Sequence, residues 1–219
     1  MLDLQLQSYY CQSFHIEFYA PDPLRVKNRY KALQEKDPQA PFPFWAKVWP
    51  SAKALAQFLI TCPEYIADKK VMEIAAGLGL PTLVAARWAT SIECSDYLPE
   101  AVDVIQHSVA HNQLQNVKCV VRDWASITEG ERADVLLLSD VNYAPGQFGG
   151  LYCLIERFLD AGTVVVLATP HRLMARPFME HISPWVVRRE EINIQEHQDH
   201  IAISILVLQK IKVLPVHSI

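Results

Sequence analysis

No stretch of this sequence approaches the ~20 consecutive apolar residues that a membrane-spanning helix requires. No basic segment leads into an apolar run near its start either, so neither a membrane partner nor a secretory leader is expected, and a cytoplasmic location is. The five cysteines (Cys11, Cys62, Cys94, Cys119, Cys153) form no C-x-x-C pair and no metal-ligand spacing. That excludes a disulfide framework or a zinc module, and leaves buried, reduced thiols as the expectation. His197 and His200 share a polar turn but lack a third ligand in sequence, so no metal is expected. A cationic surplus is also missing: 20 Lys and Arg stand against 24 Asp and Glu, for a net charge of −4. A duplex nucleic-acid binder that displaces counterions over a broad basic surface is therefore not expected. Ser51, Ser95 and Ser139 sit in no G-x-S-x-G elbow, which removes support for a serine hydrolase. Internal repeats and low-complexity segments are absent.

What is present is a globular composition, 51% apolar and 20% charged over 219 residues. That length suits one hydrophobic core with an N-terminal elaboration. Six of the fourteen prolines fall between residues 20 and 50, which denies that stretch a long regular element and reads as an arm or lid. Ahead of it, Phe14, Ile16 and Phe18 alternate with His15, Glu17 and Tyr19 at the period of a half-buried strand. Ala52, Leu55, Ala56 and Leu59 recur at helical spacing, predicting a helix over 50–61 with Pro50 in its first turn and Ser51 available to cap.

From residue 70 onward β-rich runs alternate with amphipathic helices, the pattern of a parallel sheet covered on both faces. Strands are predicted at 70–74, 91–95, 117–122, 134–139 and 163–168. Crossover helices are predicted from the stripes Leu98, Val102, Ile105, Val109 and Leu151, Leu154, Ile155, Phe158, Leu159. Two strand-like runs, 185–195 and 200–210, flank a polar turn and predict a terminal antiparallel hairpin. The sum is a doubly wound α/β fold with a seven-stranded sheet whose last strand is reversed.

The run Val71 to Pro81, V-M-E-I-A-A-G-L-G-L-P, follows a strand and opens a helix, where doubly wound folds bind nucleotides. Gly77 and Gly79 permit a tight turn and close approach of a ligand. Free amides at the helix start would favour a ligand carboxylate. A glycine pair alone is weak, because such loops are common for steric reasons. Two acids strengthen it, Glu73 just upstream and Asp96 at the next strand end. Asp96 could accept both ribose hydroxyls or merely cap a helix, and the glycines 19 and 17 residues earlier favour the ribose. A nicotinamide dinucleotide site wants a third glycine where this chain has Thr82. The third strand ends in Arg122-Asp123-Trp124, a carboxylate and an aromatic plane suited to an adenine, or simply a surface Asp beside a core Trp. The fourth ends in Ser139-Asp140-Val141-Asn142-Tyr143 at the carboxyl edge of the sheet, facing the cleft. His171 and Arg172 follow the fifth strand, where they could touch a substrate or serve a helix start.

These residues carry a resemblance. From Trp45 to about Lys210 the chain resembles the seven-strand class I methyltransferases, closest to the methyltransferase-like group that holds many protein lysine methyltransferases. That group's glycine loop, L-E-L-G-A-G-T-G-L-P, is matched by Met72 to Pro81 with Ala75 replacing the first glycine. Trp49-Pro50-Ser51-Ala52 is similar to its tryptophan motif, and Asp140-Val141-Asn142-Tyr143 to its D-x-x-Y motif. The resemblance implies strand order 3-2-1-4-5-7-6 and S-adenosylmethionine as cofactor. It implies cofactor contacts from Trp49, Glu73, Ala75, Gly77, Gly79, Asp96, Asp123, Trp124 and Ser139, and a methyl-acceptor site at Asp140 and Tyr143. The expected organisation is an extension or lid over 1–49 and a methyltransferase domain over 50–219. The expected activity is N-methylation of a lysine side chain in a protein substrate. The alternatives are a small amine or phenol acceptor, and a non-catalytic cofactor-binding module invited by Ala75.

Overall fold

The computed structural model describes residues 3–210. The chain opens with a hairpin, β1 (Leu4–Cys11) and β2 (Phe14–Pro21), and continues into α1 (Pro23–Lys36) and α2 (Pro50–Thr61). An alternating body follows: β3 (Lys70–Ile74), α3 (Leu80–Ala85), β4 (Ser91–Asp96), α4 (Pro99–His111), β5 (Val117–Val121), β6 (Val135–Ser139), α5 (Phe148–Asp160) and β7 (Val164–Pro170). It closes with α6 (Arg176–Ile182) and the hairpin β8 (Val186–Glu196) and β9 (Asp199–Leu208). The expected domain from residue 50 reaches beyond the described residues at 211–219.

The main sheet has the order β5-β4-β3-β6-β7-β9-β8. Counted from β3, that is 3-2-1-4-5-7-6. β3, β4, β5, β6 and β7 pair in parallel, and β9 runs antiparallel to both β7 and β8. The reversed strand lies inside the edge because the hairpin inserts its second arm beside β7. Period-two alternation then divides the aliphatic runs between two faces. In β6, Val135 and Leu137 join a core with α2, α3 and α4, while Leu136 and Leu138 join one with α5 and α6. All four are fully buried, each contributing about 1.5–3 kcal/mol by leaving water.

The N-terminal stretch differs from expectation. α1 is a 14-residue helix within the proline-rich segment. Its prolines mark boundaries rather than breaks: Pro23 occupies the first turn, where no N–H is needed, and 24–37 holds no proline. The Asp22 carboxylate accepts from the Arg25 N–H at 2.9 Å and caps the start. β1 carries little hydrophobic alternation and gave no sequence signal; its register with β2 makes it a strand. Helix α2 starts where expected, but Trp49 is its N-cap and makes no side-chain cap bond, while Ser51 lies inside the helix, fully buried. All five cysteines are free, yet only Cys94 is fully buried and Cys153 is exposed.

Candidate cofactor and acceptor site

The carboxyl ends of β3, β4, β5 and β6 converge on a cleft of about 540 Å³. Its floor is the loop from Ala75 to Gly79, where the chain leaves β3 and must turn sharply into α3. Ala75, Gly77 and Gly79 all take left-handed backbone angles, φ 51°, 59° and 69°. A Cβ on Gly79 would come within 3.1 Å of the Ile105 side chain, and one on Gly77 would touch the Trp45 backbone at 3.5 Å. Glycine at both positions thus serves the turn and the close seating of α4 and the 44–49 segment.

Of the residues expected here, Trp49, Ala75, Gly77, Gly79, Asp96, Asp123, Trp124, Ser139, Asp140 and Tyr143 line the cleft. Glu73 does not. It is fully buried, and Oε2 accepts from the Thr82 amide at 2.8 Å and the Thr82 hydroxyl at 2.5 Å. Expected as a cofactor contact, its side chain instead ties β3 to the first turn of α3, so the Thr82 amide is not free for a ligand carboxylate. Burial pushes its pKa up to about 8 against the opposing Thr82 hydrogen bonds, and among the described residues Oε1 has no hydrogen-bond partner.

Asp96 is 4% exposed, and its oxygens accept from Gly77 N–H at 3.0 Å and Leu98 N–H at 3.1 Å. Burial raises its pKa while those amides lower it. Each carboxylate oxygen keeps a further lone pair, so Asp96 can hold the glycine loop and still accept from ligand hydroxyls. Asp123 Oδ1 caps the turn at Trp124–Ser126 through Ala125 N–H at 2.9 Å. Trp124 is half-buried against the α5 core. The Trp49 indole donates to the Phe44 carbonyl at 2.7 Å, closing the 44–49 turn.

The acceptor side is built on the loop after β6. Asp140 sits at φ 57°, and its N–H reaches the Ala168 carbonyl at 2.9 Å. Two residues on, Asn142 is fully buried and accepts from the Thr169 hydroxyl at 2.8 Å, fastening the loop to β7. Tyr143 remains 42% exposed. Its ring lies 5.4 Å from Phe44, which in turn lies 6.0 Å from Trp49. Partial burial, then the Asp140 charge, raises the Tyr143 pKa, favouring its neutral hydroxyl.

Sequence reasoning left one partner unassigned. Arg172 enters the cleft and holds both Asp140 oxygens, one guanidinium nitrogen on Oδ1 and Nη2 on Oδ2 at 3.0 Å. His171 turns instead to the Ser204 hydroxyl at 2.9 Å. Arg122 also lines the cleft, held by Glu93 at 2.8 Å and by Glu131. The signal for both cations was position alone, at or just after strand ends. Their partners stand on other strands and loops, and adjacency in sequence does not reveal such pairs. Among the described residues no group of His, Cys, Asp and Glu could hold a metal ion.

A Rossmann-like seven-stranded sheet in this order, with a glycine loop, a strand-end acid and an aromatic wall at one edge, is the fold of the class I methyltransferases. Comparison with known proteins narrows the class: residues 43–185 match the model of the lysine methyltransferase family, and the chain belongs to that family. It is 30% identical over 135 residues to the electron transfer flavoprotein beta subunit lysine methyltransferase of Danio rerio, covering 60% of this chain and 52% of that protein. It is 32% identical over 132 residues to the human histone-arginine methyltransferase METTL23, covering 58% of this chain and 70% of that one. The chain spans about half the length of the first relatives it matches. Among solved structures, the Thermus thermophilus 16S rRNA N2 G1207 methyltransferase shares the fold, with a TM-score of 0.65 at 18% identity over 96% of this chain and 51% of that one. The N-methyltransferase NodS of Bradyrhizobium japonicum, solved with S-adenosylhomocysteine, has a TM-score of 0.59 at 15% identity over 84% of this chain and all of NodS.

The residues suit the cofactor. The cleft volume falls in the range of small-molecule sites, roughly 300–1,000 Å³, and its rim offers an acid for hydroxyls and an aromatic plane for a base. No helix among the described residues is long and apolar enough to cross a membrane.

Proposed function

We propose that this chain methylates a nitrogen of a protein side chain, with lysine as the acceptor and the cytoplasm as its compartment. The carrying observation is that the glycine loop with Asp96 and the Asp140–Tyr143 loop face one cleft, so a donor and an acceptor can meet there. The named relatives act on lysine or arginine of proteins, which supports a protein substrate over a small amine or phenol, or over a module that only binds cofactor.

When bound, the cofactor supplies an electrophilic methyl on a sulfonium, so the protein's task is alignment. Trp49, Ala75, Gly77, Gly79, Asp96, Asp123, Trp124 and Ser139 would hold it. A lysine is protonated at neutral pH, with its pKa near ~10.4, and must lose a proton before its lone pair can attack. Phe44, Tyr143 and Trp49 form an apolar wall that disfavours the ammonium and lets its proton leave to water. Asp140, with its carboxylate held in place by Arg172, orients the amine as an acceptor and does not itself need to take the proton.

A second reading, an arginine acceptor, is supported by the similarity to the histone-arginine methyltransferase METTL23. Incubation with isotopically labelled S-adenosylmethionine and a lysate, followed by mass spectrometry, separates the two through methyl-lysine against methyl-arginine. Label only in small molecules, or none, overturns both. Asp140→Asn and Tyr143→Phe should keep S-adenosylhomocysteine affinity by calorimetry while cutting turnover, by ~10²-fold or more for Asp140. Full activity in both would move the acceptor site elsewhere.

A further inference from the structure

Helix α1 has an unusual place in the fold. Fourteen residues long, it buries none of them, although a helix of that length is marginal in water without a packed face. One face of it, Val26, Lys27, Tyr30, Lys31 and Gln34, recurs at helical spacing and lines a second groove of about 840 Å³. The groove's other walls come from β1 and β2, the 42–49 segment and the β8–β9 turn. α1 is held at the back, where Arg25 pairs with Asp3 at 3.0 Å and Arg29 with Glu100 at 2.6 Å.

The groove is apolar in its walls and basic at its rim. Tyr9, Phe18, Val26 and Val48 line it, with four lysines, Lys27, Lys31, Lys47 and Lys53, against the single carboxylate of Glu196. Glu196 is already committed to Lys47 and Lys53, and those lysines lower its pKa against the effect of burial. Among the described residues, Lys27 and Lys31 form no ion pair. The molecule as a whole carries −4, so this local excess is placed against the overall charge. The groove adjoins the cofactor cleft: Lys47, Val48, Trp49, Leu78 and Leu80 line both.

We propose that this groove is the docking site for an acidic, partly apolar segment of the protein substrate, which it seats while the target side chain enters the neighbouring cleft. The inference rests on the protein-methyltransferase reading above. Lys27 and Lys31 supply charge complementarity, which governs encounter and register, and the apolar walls accept the segment's hydrophobic side chains. A nucleic acid fits less well, because its uniformly charged backbone would lie along Tyr9, Phe18 and Val26 and beside Glu196.

The test uses the full chain and a fluorescein-labelled peptide of repeating Glu-Leu, read by anisotropy at low salt. Lys27→Glu/Lys31→Glu should weaken its binding by about tenfold or more, and Lys27→Ala/Lys31→Ala by less, with weakening binding to the parent chain as salt rises. Both variants lie outside the cofactor cleft, so S-adenosylhomocysteine affinity and the melting temperature should match the parent. Equal peptide binding by parent and charge-reversed chains overturns the proposal, as does preference for a Lys-Leu peptide or for labelled oligouridylate. Failure to bind S-adenosylhomocysteine would instead overturn the methyltransferase reading, and the two failures are separable because each has its own titration.

Discussion

Ala75 holds a backbone conformation that costs an L-residue about 1–2 kcal/mol, at φ 51° in the cleft floor. The family pattern's glycine at this position has a physical reason, and this chain tolerates its absence because Asp96 and the packing around Gly77 fix the loop. Ala75→Gly should relieve the strain at a cost of roughly 0.5–1 kcal/mol in unfolded-chain entropy. A net gain of about 0.5–1 kcal/mol is expected in urea denaturation; no gain would mean that the loop is already relaxed around the alanine. Glu73 makes a pH-dependent contribution. Its folded pKa, about 8, lies above the ordinary 4.5, so the folded state binds the extra proton. The associated stability is fully present below about pH 4.5 and is lost as pH rises through about 8. Across that window unfolding free energy should fall by up to ~1.4 kcal/mol per pH unit, and Glu73→Gln, which cannot ionise, should flatten the decline. A parallel pH profile in the variant would show that Glu73 stays ionised throughout.

At the scale of elements, the acceptor loop illustrates what sequence could and could not reveal. The apolar run Val135 to Leu138 followed by Ser139 and Asp140 revealed a strand whose end reaches the cleft, because full burial on both faces leaves a continuous hydrophobic signature. The strand order was implied by the family resemblance and not by periodicity, while the terminal hairpin was legible from two strand-like runs around a polar turn. Arg172 on Asp140 and Thr169 on Asn142 were not, since each joins segments about thirty residues apart through side-chain geometry that only the register of β6 and β7 creates. Helix α1 is hidden in the sequence for a different reason: the prolines around it cluster at its two ends, so a proline-rich stretch encloses a helix with no proline after its first residue. Glu73 misled because an acid beside a glycine loop reads alike whether its side chain faces the ligand or the following helix. The Asn142–Thr169 bond fastens the loop to β7. Thr169→Val should leave the buried Asn142 oxygen without its donor and cost about 1–3 kcal/mol. If the loop positions the acceptor, kcat should fall while S-adenosylhomocysteine affinity holds. Unchanged stability would show that the hydroxyl bond is replaced by water.

On the scale of the whole molecule, residues on both sides of position 49, where a boundary was expected, share one core. Ile16, Phe18 and Ala20 of β2 belong to the same buried cluster as α2, α3 and β3. The Tyr19 N–H donates to the Ser108 hydroxyl of α4 at 2.9 Å, and the Asn112 amide donates to the Glu17 carbonyl at 2.6 Å. The hairpin is therefore a wall of the main core, and the part of the arm that reaches the cleft is the short aromatic segment around Phe44 and Trp49. Removing residues 1–21 would strip Ile16 and Phe18 from α4 and α3, each carrying about 1.5–3 kcal/mol of burial. It would also leave the Ser108 and Asn112 side chains without those partners. Against a total stability on the order of 5–15 kcal/mol, a loss of roughly 3–6 kcal/mol from the two side chains should shift the denaturation midpoint strongly and expose dye-binding apolar surface on α4. A truncated chain with the parent's midpoint would make the hairpin an appendage to a core that folds without it.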